Sequence, residues 1–231
     1  MENIMLCGIS GNMGRKIYER LVNLGHNVAC GIDKTLGGQF DCPIYKDFFE
    51  VRESIDFVID FSSSKLFDKV LDFAYVNKVP LICGTTGLNA AQIERAQKLG
   101  DTVPVFLSSN MAVGVNLFTT CAQILSKNLI DNQIAIIETH HNGKKDLPSG
   151  TALDIKKAIE SATDSKAEIC SIRGGSVIGE HKVMFLGQNQ TITITHTALD
   201  RSLFVDGVIN ALDFLKDKDS GFYTTKDLIN L

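Results

Sequence analysis

The sequence predicts an α/β protein in which a doubly wound parallel sheet carries an inserted α+β domain with a mixed open sheet. Three observations lead there. Over the first hundred residues, short unbroken apolar runs alternate with stretches of helical periodicity, the pattern of parallel strands covered on both faces. From residue 112 the order changes to helix, strand, helix and then three strands in succession, the last of them alternating as Thr191-Ile192-Thr193-Ile194-Thr195-His196. That period of two suits a sheet with one wet face. Finally, an apolar helical stretch after residue 200 returns the chain to the first domain. The division expected is residues 1–110 and 201–231 against 111–200.

Ile4–Ile9 is the first strand, closed by a glycine turn, and Met13–Leu24 follows as a helix with Met13, Ile17, Leu21 and Leu24 at helical spacing. Val28–Ile32 is the second strand. Phe57–Phe61 is the third, with Ser62, Ser63 and Ser64 capping a helix over 65–77. Val79–Cys83, a turn at Thr85-Thr86-Gly87-Leu88, a helix over 89–99 and the strand Val103–Leu107 complete the first run. The second domain then reads as a helix over 112–129, a strand over 133–139, a polar loop, a helix over 151–162 and strands at 167–173, 181–187 and 190–197. Leu203–Leu215 is the closing helix, followed by a glycine break and the short apolar segment Asp227–Leu231.

The chain has 231 residues, enough for two cores, with 44% apolar and 22% charged residues. A net charge of −4 argues against general attraction to nucleic acid or to an anionic membrane. The six cysteines are scattered without a Cys-x-x-Cys pair, which argues against a zinc site or a disulfide framework. Met1-Glu2-Asn3 leads straight into a strand, and no apolar run reaches the ~18 residues of a membrane span. A cytoplasmic enzyme is expected.

Gly8-Ile9-Ser10-Gly11-Asn12-Met13-Gly14 ends a strand and opens a helix. Glycines there let a pyrophosphate approach the free N–H groups of the helix N-terminus. The spacing is Gly-x-x-Gly-x-x-Gly, so the alternative is a bare strand–helix turn. Asp33 ends the second strand nineteen residues past Gly14, where an acid would bind the adenosine ribose hydroxyls. Lys34 beside it could instead meet a 2′-phosphate, which leaves NADH and NADPH both open. The first domain is therefore read as a Rossmann-type dinucleotide-binding domain. Phe61-Ser62-Ser63 and Gly84-Thr85-Thr86-Gly87 follow the third and fourth strands, beyond the carboxyl ends where ligands bind in such folds. Helix capping is the competing reading for the serines.

The most informative segment runs from Glu138 to Ala152, with His140, His141, Lys144 and Lys145 ahead of Pro148-Ser149-Gly150-Thr151. Lys144 brings charge, and the helix starting at the Ser-Gly-Thr turn, capped by Ser149 or Thr151, brings backbone N–H groups. Together they suit a small carboxylate. Adjacent histidines after a strand diverge, so one can face a reacting atom as a general acid. Divergent histidines without a further ligand at usual spacing do not suit zinc, and no metal is expected. The competing reading is a surface pair of histidines beside a solvated lysine turn.

These residues, with Asp60-Phe61-Ser62, Ser109-Asn110-Met111-Ala112-Val113-Gly114-Val115-Asn116 and Arg173-x-Gly175-x-x-x-Gly179-x-His181-x-Val183, resemble the 4-hydroxy-tetrahydrodipicolinate (dihydrodipicolinate) reductases of diaminopimelate and lysine biosynthesis. The resemblance runs in order from residue 4 to the C-terminus. It implies NAD(P)H-dependent reduction of a cyclic imine dicarboxylate to tetrahydrodipicolinate. It implies further that His140 is the proton donor and Lys144 a second donor and substrate ligand. His141, Thr86, Ser149, Gly150 and Thr151 would hold the substrate carboxylates. The dinucleotide would lie on Gly8, Gly11, Asn12, Met13, Gly14, Asp33 and Lys34, and on Phe61, Gly84, Thr86, Ser108 and Met111. The resemblance implies, as is usual in the family, a homotetramer joined through the sheets of its substrate domains, which makes 111–200 the expected substrate-binding and oligomerisation domain. Two departures stand out: Ser63-Ser64 replaces an Arg or Thr followed by Pro, and the segment from Asp33 to Asp56 is short. Other two-domain dehydrogenases and a non-catalytic NADH sensor are the alternative readings.

Overall fold

The computed structural model describes residues 1–35, 39–129 and 131–229. It divides the chain into two compact units, Met1–Met111 with Phe204–Leu231, and Ala112–Leu203.

The first unit is built on seven strands: β1 (Asn3–Cys7), β2 (Asn27–Ile32), β3 (Ile44–Tyr45), β4 (Phe57–Asp60), β5 (Leu81–Cys83), β6 (Pro104–Leu107) and, from the C-terminal segment, β11 (Gly221–Tyr223). Their order is β11-β6-β5-β4-β1-β2-β3, and every neighbouring pair is parallel. Alternate side chains enter different cores, as a strand requires. Ile4 and Leu6 pack with Ile17 and Leu21 of α1 (Asn12–Asn23) and with Val205, Val208 and Leu212 of α6 (Ser202–Leu215). Met5 and Cys7 pack on the opposite side, with Phe67 and Val70 of α2 (Ser64–Asn77) and Leu99 of α3 (Ala90–Leu99). Both faces are covered, so no strand could show hydrophobic–polar alternation. Cys7, Cys30 and Cys83 are buried in the second core as small apolar groups.

The expected elements differ from the observed ones at several ends. The first strand stops at Cys7, because Gly8 turns the chain with φ +80°. Leu24 is 45% exposed and terminates α1 instead of extending its apolar face; Gly14, Ile17, Tyr18 and Leu21 are the buried positions. Ser63 stands at the start of α2 without a side-chain cap bond, so the serine cap did not materialise. The two edge strands β3 and β11 were not anticipated, and a 3₁₀ turn (Thr225–Leu228) takes in Asp227 and Leu228 at the start of the C-terminal apolar segment. Asn230 and Leu231 of that segment lie outside the described residues.

The second unit has a four-stranded sheet in the order β10-β9-β7-β8, formed by β7 (Gln133–His140), β8 (Ala167–Arg173), β9 (Gly179–Leu186) and β10 (Thr191–Ala198). β7 pairs parallel with β8 and antiparallel with β9, and β9 pairs antiparallel with β10. Helices α4 (Val113–Asn128) and α5 (Gly150–Ala162) cover one face, burying Ile134, Ile136, Val183 and Phe185 against Phe118, Ala122, Ile155 and Ile159. The other face carries Ala135, Ile137 and Thr139 of β7 and the threonines of β10, with no helix over it among the described residues.

Candidate active site

Two groups of residues stand out, one in each unit. In the first unit, Gly8 and Gly14 have a steric reason to be glycine. A Cβ at Gly8 would lie 2.5 Å from the Phe61 carbonyl oxygen, and one at Gly14 would lie 2.1 Å from that of Gly8. The turn therefore sits tight against α1 and the end of β4. The Gly8 N–H donates to Ile32 O at 2.8 Å and that of Gly11 to Gly8 O at 3.0 Å. The α1 N-terminus has no side-chain cap bond and no acid in its first turn, which leaves it suited to an anion.

A cavity of about 460 Å³ opens beside this turn, lined by Gly8, Gly11, Asp33, Lys34, Phe61 and Ser62 among others. Asp33 accepts from the Ser10 N–H at 2.9 Å and the Thr35 N–H at 3.2 Å, fixing the carboxylate at the cavity wall. Lys46 and Lys65 also line it and had carried no signal in the sequence. A glycine cradle, an uncapped helix start and an acid at the end of β2 fit a dinucleotide.

The ends of β4 and β5 are tied by Asp60, which is fully buried. Its carboxylate accepts from Ser62 Oγ at 2.5 Å, Ser62 N at 3.1 Å and Thr85 Oγ1 at 2.8 Å. Burial raises its pKa against the pull of those bonds. With Thr85 turned inward, Thr86 is left exposed. Gly84 lies under the Phe61 ring, where a Cβ would approach within 2.2 Å. Asn12 is exposed and Met13 half-buried; neither lines the cavity, nor do Gly14, Gly84, Thr86, Ser108 and Met111. Ser108 Oγ donates to Asn110 O at 2.8 Å and lies 2.6 Å from Thr225 Oγ1. Met111 is 2% exposed, so its side chain belongs to the core.

In the second unit the group centres on Glu138, two residues before His140 and hence on the same face of β7. Glu138 is completely buried. Arg173 donates to it through two nitrogens, Nη2 at 2.7 Å and Nη1 at 2.9 Å. The Ser149 N–H donates at 3.2 Å, and His140 Nδ1 lies 2.5 Å away. Burial alone would raise the carboxyl pKa, but these bonds and the Ser171 hydroxyl outweigh it and hold it at about 2. His140 is itself lowered by burial, with the Glu138 bond opposing and the charges of Lys144 and Arg173 adding to the lowering. His181, opposite Glu138 on β9, is lowered to about 4 by burial and then by His140.

Ser149, not Thr151, caps α5: its hydroxyl accepts from the Ala152 N–H at 3.2 Å. Gly150 is exposed and Thr151 half-buried at the same helix start. Lys144 pairs with Asp146 at 2.9 Å, and Arg173 Nη2 donates to the Asp146 carbonyl at 2.6 Å, joining that loop to the Glu138 group. His140 is the last residue of β7, whereas His141 is half-buried just beyond it. His140, Lys144 and Ser149 thus share one network. Glu138, Arg173 and His181 are the members to which sequence reasoning gave no role; the i, i+2 spacing of Glu138 and His140 was the available signal. Among the described residues, no cluster of three or more His, Cys, Asp or Glu side chains is placed to hold a metal.

The family description "Dihydrodipicolinate reductase, N-terminus" matches residues 2–111, and "Dihydrodipicolinate reductase, C-terminus" matches residues 114–229. The chain belongs to the dihydrodipicolinate reductase family. Relatives named 4-hydroxy-tetrahydrodipicolinate reductase include one from Clostridium novyi, 36% identical over 99% of this chain and 98% of the relative. One from Rickettsia bellii is also 36% identical, over 99% and 96%. Among solved structures, the dipicolinate-bound dihydrodipicolinate reductase of Paenisporosarcina sp. TG-14 superposes with a TM-score of 0.89 at 20% identity, covering 99% of this chain and 100% of that one. Aspartate dehydrogenase from Thermotoga maritima shares the fold more loosely, with a TM-score of 0.58 at 16% identity over 94% and 98% of the two chains.

Proposed function

We propose that this chain reduces 4-hydroxy-tetrahydrodipicolinate (dihydrodipicolinate) to tetrahydrodipicolinate, with His140 and Lys144 as its catalytic pair. As a member of the reductase family the chain is an oxidoreductase using NAD(P)H. The single observation that carries the assignment of residues is the shared network of His140, the Lys144 loop and the Ser149 helix start around one buried carboxylate.

NAD(P)H, when bound, supplies the hydride; the Gly8–Gly14 turn, Asp33 and Lys34 hold it in the first unit, which is the dinucleotide-binding domain. In the second unit the start of α5 (Gly150, Thr151) and Lys144 receive the substrate carboxylates, with His141 beside them. A dianionic substrate needs both a lysine charge and a helix N-terminus, since either alone leaves one carboxylate poorly matched. As hydride arrives, negative charge builds on the ring, and a proton delivered by His140 with Lys144 nearby stabilises it. The same unit offers the uncovered sheet face of β7 and β10 for assembly, and a homotetramer in the cytoplasm is the state proposed. No helix among the described residues is long and apolar enough to cross a membrane.

Turnover decides this reading. The purified chain should oxidise NADH or NADPH, followed at 340 nm, only when the product of a dihydrodipicolinate synthase is supplied. His140→Gln should lower that rate by about 10²-fold or more while the fold is kept. A near-normal rate and pH profile in His140→Gln would move the acid role to His141. Absence of turnover in the parent would favour a dinucleotide-sensing protein.

A further inference from the structure

We propose that Glu138, clamped by Arg173, is a positioning residue that presents His140 with its Nε2 as the proton-delivering atom. The inference rests on His140 being the acid in the reading above. Four observations carry it. The first is chemical economy. Ile134 and Ile136 precede Glu138 on the same face of β7 and are core residues. An apolar residue at 138 would serve packing as well as a buried ion pair does, so stability does not account for the carboxylate.

Second, one oxygen of that carboxylate lies 2.5 Å from His140 Nδ1, while Arg173 holds both oxygens in a two-point grip. An ionised carboxylate only accepts, so Nδ1 must carry a hydrogen. The remaining ring nitrogen, Nε2, is then the one that gains and gives the catalytic proton, the arrangement that an acid behind an imidazole imposes. Third, Nε2 faces Gly179, where a Cβ would come within 3.1 Å. Glycine at this position keeps that nitrogen clear. Fourth, the carboxylate reaches the two other parts of the clamp: the Ser149 N–H at the start of α5, and, through Arg173, the Asp146 carbonyl of the Lys144 loop.

The charged and titratable groups facing His140 are Glu138 on its own strand, Lys144 from the loop, Arg173 from β8 and His181 from β9, whose ring centroid is 5.3 Å away. Only Glu138 among them favours the protonated ring. Losing its charge must lower the pH at which His140 binds its second proton.

The test uses full-length protein labelled with ¹⁵N-histidine. Two-bond ¹H–¹⁵N spectra, with His140 assigned by its loss in His140→Gln, read the tautomer and the titration. In the parent, neutral His140 should carry its proton on Nδ1. In Glu138→Gln its titration midpoint should move to lower pH. The acid-requiring limb of kcat should move with it, and kcat at neutral pH should fall about 10–100-fold, the scale for partners that orient a functional histidine. KM for NADH should stay within about twofold, as expected for an interaction used in the chemical step only. Glu138→Asp, which keeps the charge, should recover part of the rate. An unchanged His140 titration in folded Glu138→Gln overturns the proposal. If that variant does not fold, the parent spectrum still decides, because a proton on Nε2 of the neutral ring also overturns it. Normal turnover of His140→Gln would instead strike the catalytic reading and leave the spectroscopic result standing.

Discussion

At neutral pH the His181 imidazole is uncharged in the folded chain, 5% exposed and held near pKa 4 by burial and by the neighbouring His140. In the unfolded chain it returns to its ordinary 6.5. The folded pKa is the lower one, so the unfolded state binds the extra proton first as pH falls. Stability is therefore intact above about pH 6.5 and drains away down to about pH 4. By pH 5 the population ratio of roughly 30 to 1 is worth about 2 kcal/mol. Glu138 acts lower, between its ordinary 4.5 and about 2, so it contributes little between pH 7 and pH 5. The assay is urea unfolding followed by circular dichroism at pH 7 and pH 5, for the parent and His181→Gln. Hydrogen exchange of the β9 amides assigns the transition to the second unit. The parent should lose about 2 kcal/mol more than the variant over this interval. His140 and His196, which burial also lowers, titrate in both proteins, and their coupling to His181 enters the difference as part of the effect read. Equal losses would refute the reasoning and place the acid sensitivity elsewhere.

Three further outcomes are expected. Lys144→Ala should cut kcat by about 10²–10³ with NADH affinity unchanged, since the proposed dinucleotide cradle lies in the other unit; a parallel fall in NADH affinity, read by fluorescence titration, would contradict the placement of Lys144. Gly14→Ala pushes a methyl to 2.1 Å from a backbone oxygen, and overpacking of this kind costs about 1–3 kcal/mol, so urea unfolding should shift and NADH binding should weaken; unaltered affinity would show that the turn does not cradle the dinucleotide. NADH and NADPH should both support turnover, with NADH equal or modestly preferred. Lys34→Ala should raise KM for NADPH more than for NADH, less so at high salt. Strict NADPH use untouched by Lys34→Ala would hand the 2′-phosphate to Lys46 and Lys65, which line the same cavity.

Much of this chain was legible in one dimension because its signals are local. The turn from Gly8 to Gly14 requires glycine for steric reasons acting within a few residues, and a strand–glycine–helix order suffices to find it. The helical spacing of Ile17 and Leu21 and the alternation of β10 are likewise properties of neighbouring residues. Leu24 misled because it keeps the apolar spacing although the helix already ends at Asn23, just ahead of Gly25 with φ +82°. The edge strands β3 and β11 escaped because two or three residues are too few to display a period.

The second-unit site divides the same way. His140, Lys144 and Ser149 are close in sequence, so their partnership could be read from one loop. What tertiary structure alone decided is how they are held. Arg173 lies 35 positions after Glu138 and meets it only because β7 and β8 pair in parallel through α5; the same register sets Glu138 opposite Ser171, and the antiparallel pairing with β9 brings His181 to its other side. Lys46 and Lys65 reach the cavity of the first unit through the fold of the sheet in the same manner. Spacing along a chain encodes which groups a turn or helix presents together, whereas charge pairing across strands depends on register, which is fixed only when the whole core packs.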